Sequence, residues 1–495
     1  MGSQMNIKEY LKVIEDVNAK GKYQDNWDSL WGHKMPSWMR NGKFGIFIHW
    51  GPYSVPAFGN EWYPRHMYEQ GRPEYEHHLK TYGPHKDFGY KDFIPMFTAP
   101  NFDPKAWAEL FAKSGATYCV PVAEHHDGFQ MYKSDLSPWN SCEMGPKRDV
   151  VGELNEELEK VGIVNGVSNH RVEHWFFMGH GKDFDSDVKD PMTKDDLYWP
   201  AMPMQEVNQH NLFSTPTPTA EFMEDWLVRC CELIDNYRPK VIFFDWWIQH
   251  HSVKHYLKKF AAYYYNRAEE WGEEVTITYK YDAFPLGSAT LDIERGKFAE
   301  VQPFHWQTDT SIARNSWSWT EGNDFKPAAG LICELVEVVS KNGVLLLNVG
   351  PKADGIISEE ETAILLDIGK WMELNGEAIY GTDIWHRAGE GPTKAKEGPF
   401  ADDADPVYTP QDIRFTTKGD TLYATVLQWP EDGKVTITSL SEQPHFEKPV
   451  FQGIIKDITI LGQDAPTWSR DEAGLHIKGA AVKESMPVVI KILMD

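Results

Sequence analysis

Cysteine, cationic side chains and long apolar runs are all scarce in this chain, and each scarcity narrows what it can be. The 495 residues hold 5 Cys, an odd number with no C-x-x-C spacing. Disulfide scaffolds and thiolate metal sites are therefore excluded, and the thiols read as reduced packing residues. Lys and Arg number 49 against 74 Asp and Glu, a formal charge of −25. Such a balance repels polyphosphates and anionic bilayers, so neither nucleic acid nor a membrane surface is an expected partner. No run approaches the roughly 18 apolar residues of a membrane span. The first residues lack the blocks of a secretory leader, and Met1–Gln4 read as a tag before Met5; a cytoplasmic location is the expectation unless a leader has been removed. No G-x-G-x-x-G or Walker pattern follows any apolar run, and no H-E-x-x-H, solenoid repeat or low-complexity segment occurs.

What the chain does have is aromatic surface and a repeated order of elements. Trp, Tyr and Phe make up 13% of a sequence whose mean hydropathy is −0.51. Flat apolar rings beside polar groups suit the mixed faces of sugars, although most such rings belong to cores. Between 103 and 122, Asp103 caps a helix, Pro104 enters its first turn, Trp107, Leu110 and Phe111 form a stripe, and Gly115 stops it before ATYCVPV. The same order recurs before VIFFDWW, before EVTITYK (after a helix over 252–271) and before VLLLNVG. Short wholly apolar strands alternating with amphipathic helices mean a parallel sheet covered on both faces. Without a phosphate loop, a (β/α)8-like barrel, regular or not, is the better expectation than an open doubly wound sheet. Ser358 and Glu361 predict a capping box on a last helix ending near Gly376. After a stretch rich in Gly, Pro, Asp and Lys, alternating strands begin at DIRFTTKGDTLYATVLQW, the mark of a small antiparallel sandwich. The expected division is an N-terminal segment (1–26), a catalytic barrel (27–386), a linker or exposed loop (387–404) and a C-terminal β-sandwich (405–495).

In such a barrel, polar residues directly after an apolar strand sit at the mouth, where the loops gather. KFGIFIHWG delivers His49, VPVAEHHDGF delivers Glu124, His125, His126 and Asp127, and VIFFDWW delivers Asp245 among four aromatic rings. An Asp after a strand is often only a helix cap. A carboxylate in an aromatic wall is costly unless it has partners or a task, which argues for function at Asp245. The His-His-Asp cluster leaves three readings open: a metal site, contacts to a polyhydroxylated ligand, or packed histidines. On an extended segment His125 and His126 point to opposite sides, which counts against a shared ion. His250, His251 and His255 read as a solvated helix face.

The strings KFGIFIHWGPYSVPAFGNEWYPRHMY, HHDGFQMYKSDLSPWNS, NGVLLLNVGPKADGIISEEE through NGEAIYGT, and RFTTKGDTLYA resemble the bacterial α-L-fucosidases of glycoside hydrolase family 29, over about residues 27 to 495. The resemblance implies an irregular barrel followed by a β-sandwich, and hydrolysis of terminal α-linked L-fucose with retention of configuration. No metal or organic cofactor is implied, the partner is a fucosylated glycan, and the oligomeric state is left open. It places the nucleophile at Asp245 and fucose contacts at His49, Glu61, Trp62, His125, His126 and Trp317. The acid/base is expected on a loop after EVTITYK. Glu294, Glu300 and Glu321 compete there, and Glu294 is chosen on loop position, with the guanidinium of Arg295 expected to point away from it. One segment departs: GVSNHRVEHWFF puts Asn169, His170, Arg171 and Glu173 where a tyrosine contact is expected. A galactoside-cleaving barrel, a metal-dependent hydrolase built on Glu124, His125, His126 and Asp127, and a fucose-binding protein without turnover are the rivals.

Overall fold

Eight short parallel strands close on themselves in sequence order: β1 (Phe44–Ile48), β2 (Tyr118–Glu124), β3 (Val164–Asn169), β4 (Val241–Phe244), β5 (Thr276–Lys280), β6 (Thr290–Glu294), β7 (Trp306–Ser311) and β8 (Gly343–Val349). The computed structural model describes residues 6–204, 211–394, 396–402, 405–442 and 453–495, so Met1–Gln4 lie outside the described residues. Closure comes from β1 pairing with β8, Gly45 opposite Leu346. β1, β2, β4, β5, β7 and β8 are buried along their whole length. Burial on both faces is why β1, β2 and β8 read as largely apolar runs and not alternating ones, whereas β5 and β7 are buried with polar side chains.

Helices of ten residues or more cover the barrel unevenly. They are α1 (Ile7–Lys20), α2 (Pro104–Lys113), α3 (Val150–Lys160), α4 (Ala220–Tyr237), α5 (Lys254–Trp271), α6 (Ala328–Val339) and α7 (Glu359–Asn375). Asp103, Asp149, Thr219 and Ser358 each accept a backbone N–H at a helix start, as the sequence signals require. Within the N-terminal segment Asn6 and Glu9 form a capping box, and Tyr10 donates to Asp235 Oδ2 on α4 at 2.6 Å. Among the described residues no such helix lies between β5 and β6 or between β6 and β7. The outer face of β6 therefore has no helix to pack on.

β6 also inverts the usual pattern. Asp292 and Thr290 are buried, while Leu291 and Ile293 stay partly exposed. The buried charges are tolerated because Lys280 from β5 meets Asp292 at 3.1 Å and Asp309 of β7 at 3.0 Å inside the barrel. Glu294, opposite Asp309 in the ladder with β7, ends this strand, where a loop position was expected.

The C-terminal part forms a five-stranded antiparallel sheet and a three-stranded one. The larger runs β13 (Ile455–Ile460), β16 (Val488–Met494), β11 (Thr421–Val426), β10 (Ile413–Lys418), β9 (Asp383–Glu390), and the smaller runs β12 (Lys434–Ile437), β15 (Gly474–Lys478), β14 (Thr467–Asp471). β9 crosses the expected barrel boundary at 386. As an edge strand it pairs only with β10, with an irregular register, so its residues carry little alternation. The expected linker over 387–404 thus splits: its first residues finish β9, and a later stretch returns to the barrel as a strap. There Gly398, Phe400 and Ala401 donate backbone N–H groups to the carbonyls of Lys297, Glu294 and Arg295.

Candidate active site

The ends of the strands deliver ionisable groups into a cleft of about 350 Å³ at the barrel mouth. Asp245, Glu294, His49, Glu61, Trp62, His125, His126 and Trp317 all line it. The barrel brings together residues up to 268 positions apart, from His49 to Trp317. His125 and His126 both reach the cleft because β2 ends at Glu124 with an irregular register against β3, so the strand geometry that would have split them no longer applies.

Asp245 follows β4 directly. Its Oδ2 lies 3.1 Å from His170 Nδ1 and 3.4 Å from His126 Nε2, and its Oδ1 accepts the N–H of Trp246 at 2.8 Å. Burial alone would raise its pKa, but the hydrogen bonds from His126 and His170, with the charge of Lys280, outweigh it and hold the carboxyl well below its usual range. The side chain keeps 16% of its surface exposed, enough for a ligand to reach it.

Glu294 has the opposite setting. Burial pushes its pKa up to about 7, Lys280 at 3.3 Å opposes, and the charges of Asp245 and Asp309 reinforce the rise. One carboxyl is thus held ionised while its neighbour keeps a proton near neutrality. Arg295 does point elsewhere: its guanidinium stacks on Trp317 at 4.5 Å, donates to the carbonyl of Ala313 and pairs with Asp402 at 3.4 Å. Glu300 and Glu321 are exposed and do not line the cleft.

Further donors and acceptors surround the pair. Burial is the largest of the influences that hold His49 and His125 well below the usual histidine range. His49 Nδ1 is fixed by Asn348 Oδ1 at 2.7 Å, and buried His125 Nδ1 has no hydrogen-bond partner among the described residues, a vacancy a ligand hydroxyl can fill. Glu61 Oε2 accepts the backbone N–H of Trp317 at 3.0 Å, so it fixes the loop that carries that ring. Trp62 meets His126 edge to face at 5.4 Å. Phe47, Phe243 and Trp246 complete an apolar wall.

Several sequence candidates turn out to be internal supports. Glu124 is buried and accepts from Arg171 at 2.9 Å and Arg229 at 3.0 Å, while Asp127 accepts from Tyr90 at 2.6 Å. Neither lines the cleft, so the four residues of the metal-dependent rival do not converge. His250 is buried and stacked on Trp247 at 4.2 Å ahead of α5, contrary to the expected solvated face; His251 and His255 are exposed.

The sequence reading put His170 where a pocket contact is expected but gave it no role, and it missed Asn60, His66, Tyr281, Asp309 and Phe400 as cleft residues. His170 had a usable signal, a polar residue directly after β3, but GVSN is too polar to stand out as a barrel strand. Tyr281 follows β5 in the same way. Phe400 had none, because it arrives from the strap. Two sets of donor atoms, His49/His125/His170 and His126/His170/Asp245, lie within 4.8 Å of one another, so the histidines are close enough to accept a transition metal as well as a sugar.

Most of the chain is similar to known proteins of one family. A family model described as "Alpha-L-fucosidase" matches residues 11–377, and one described as "Alpha-L-fucosidase C-terminal domain" matches 407–490. The chain is 31% identical to the tissue alpha-L-fucosidase of Homo sapiens over 472 residues, covering 92% of this chain and 87% of that one. It superimposes on the Thermotoga maritima alpha-fucosidase bound to a mechanism-based inhibitor with a TM-score of 0.73 at 29% identity, covering 95% of this chain and 100% of that one. The same enzyme in complex with fucose gives a TM-score of 0.72 at 28% identity, with 95% and 100% covered.

Proposed function

The chain belongs to the α-L-fucosidase family, and from that premise we propose how its own residues hydrolyse a terminal α-linked L-fucoside with retention of configuration. The observation that carries the assignment is the divergence of two carboxyls in one cleft, Asp245 held ionised by His126 and His170 and Glu294 pushed up to about 7.

In the first step an Asp245 oxygen attacks the anomeric carbon, the glycosidic C–O bond breaks, and the Glu294 proton passes to the departing oxygen. In the second, Glu294 takes a proton from water, the hydroxyl oxygen bonds to the anomeric carbon, and the bond to Asp245 breaks. Two inversions restore the configuration. Nucleophile and proton donor are both supplied by the chain, and water is the only co-reactant. His49 and His125, uncharged, meet sugar hydroxyls, and Trp62 and Trp317 cover the apolar ring face and the C6 methyl. One methyl in an apolar pocket is worth about 1 to 3 kcal/mol, so preference over galactosides is strong but finite.

The partner is a fucosylated glycan. Full-length likeness to the Thermotoga enzyme supports a bacterial member, and the human enzyme matches at a similar identity. Five unpaired cysteines support a reducing compartment. No described helix is long and apolar enough to cross a membrane.

The test is covalent trapping with a fucosyl fluoride whose 2-hydroxyl is replaced by fluorine, which slows the second step. Peptide mapping should find the label on Asp245. A label on any other residue, or release of β-L-fucose as the first product, would overturn the assignment.

A further inference from the structure

Glu294 protonates the departing oxygen in the scheme above, so the leaving group has to begin at that carboxyl. The space beyond it is not bulk solvent. A trench of about 590 Å³ shares Glu294 and Tyr281 with the cleft and continues past Leu291, Ile293, Phe298 and Pro399. It exists because no barrel helix covers β6, so Leu291 and Ile293 face outward without one, and the strap forms the opposite side.

Tyr281 lines both cleft and trench, and Phe400 lines the cleft next to Pro399 of the trench. Tyr281 and Phe400 are 51% and 53% exposed, whereas the other aromatic residues of the cleft are buried or only partly exposed. Both hold left-handed backbone, φ +56° at Tyr281 and +54° at Phe400. Bulky residues rarely adopt that region, and such strain persists where surrounding structure enforces it, often at ligand sites. The enforcement at Phe400 is visible: its N–H bonds the carbonyl of Glu294 itself, and Asp402 ties the strap to Thr310 at 2.6 Å and Lys326 at 2.5 Å. The ring is therefore set in register with the acid.

We propose that Tyr281 and Phe400 form the leaving-group subsite, gripping the apolar face of a second pyranose ring, with the trench receiving the next unit of the glycan. The inference rests on Glu294 as the acid/base. Exposed rings match the C–H face of a pyranose.

The experiment compares two donors, α-L-fucosyl fluoride, whose leaving group is a single atom, and a fucosylated disaccharide that the parent enzyme cleaves. For Phe400→Ala and Tyr281→Ala, the ratio of kcat/KM on the disaccharide to that on the fluoride should fall about tenfold, the scale of one lost apolar contact in the transition state. Phe400→Trp should restore the ratio. Transfer of fucose from the fluoride to an added free pyranose should drop in parallel. Equal losses on both donors, or an unchanged ratio, would overturn the subsite. Retaining release of fluoride by the parent enzyme tests the carboxylate pair on its own, so failure of the subsite is distinguishable from failure of the assignment.

Discussion

His170 Nδ1 stands 3.1 Å from Asp245 Oδ2 while its Nε2 meets Ser168 Oγ at 3.0 Å, so one imidazole joins the end of β3 to the end of β4. With Nδ1–H donating to the carboxylate, Nε2 accepts from the serine hydroxyl. The acceptor-only carboxylate thereby sets the tautomer, the serine hydroxyl can donate to match it, and Asp245 is held from the neighbouring strand.

Removing that donor should weaken the ionised form of Asp245. His170→Phe is expected to lower kcat/KM on an aryl fucoside by about 10- to 100-fold, the worth of one hydrogen bond to a charged group. The acidic limb of the pH profile should move to higher pH. A profile unchanged in shape would show that His170 only packs.

In the proposed scheme Glu294 begins the reaction protonated. Since its pKa is pushed up to about 7, kcat/KM should fall as pH rises through about 7. Glu294→Gln should abolish that basic limb. It should also slow glycan substrates far more than activated aryl fucosides, which need little protonation to depart. Equal slowing of both, or the same pattern in Glu300→Gln, would remove Glu294 from the role.

Asp245→Ala should retain the fold and fucose affinity while losing turnover by about four orders of magnitude, as for a nucleophile whose partners cannot replace it. Circular dichroism and fucose titration check the first part, and burst kinetics the second. Turnover near that of the parent would sink the assignment.

The histidine cluster predicts a liability to metals. Treatment with a chelator should leave hydrolysis unchanged, and added zinc should inhibit competitively with fucose, because His49, His125 and His170 would trade sugar hydroxyls for the ion. Loss of activity on chelation, restored by a stoichiometric metal, would favour a metal-dependent reaction.

Barrel and sheets are joined by a buried ion pair. Glu337 of α6 accepts from Arg414 Nε of β10 at 2.8 Å and pairs with Lys341 at 2.6 Å. Burial raises its pKa, but Lys341 and Arg414 outweigh it and depress it to about 2. A depressed carboxyl stabilises above its unfolded pKa, near 4.5, and that contribution is lost as pH falls through about 2. The linkage is on the order of 3 kcal/mol. Glu337→Gln should flatten the acid dependence of thermal unfolding between those limits; an unchanged dependence would show that the pair contributes nothing.

The sequence by itself determined the barrel and the place of Asp245 at its mouth, because both are written in single segments. A run such as VIFFDWW is short, wholly apolar and ends in Asp245, and that is enough to mark a buried strand with a charge at its mouth. His49, His125 and His126 were legible for the same reason. The tertiary structure alone decided what those groups do to one another. His170 reaches Asp245 across 75 positions, and Lys280 compensates Asp292 and Asp309 so that β6 can turn its charges inward against its own periodicity. Phe400 lies 106 positions from the acid whose carbonyl it bonds. Periodicity is a property of one element, whereas a pKa, a strap and a cleft arise only when closure brings the ends of separate strands together and burial makes their charges felt.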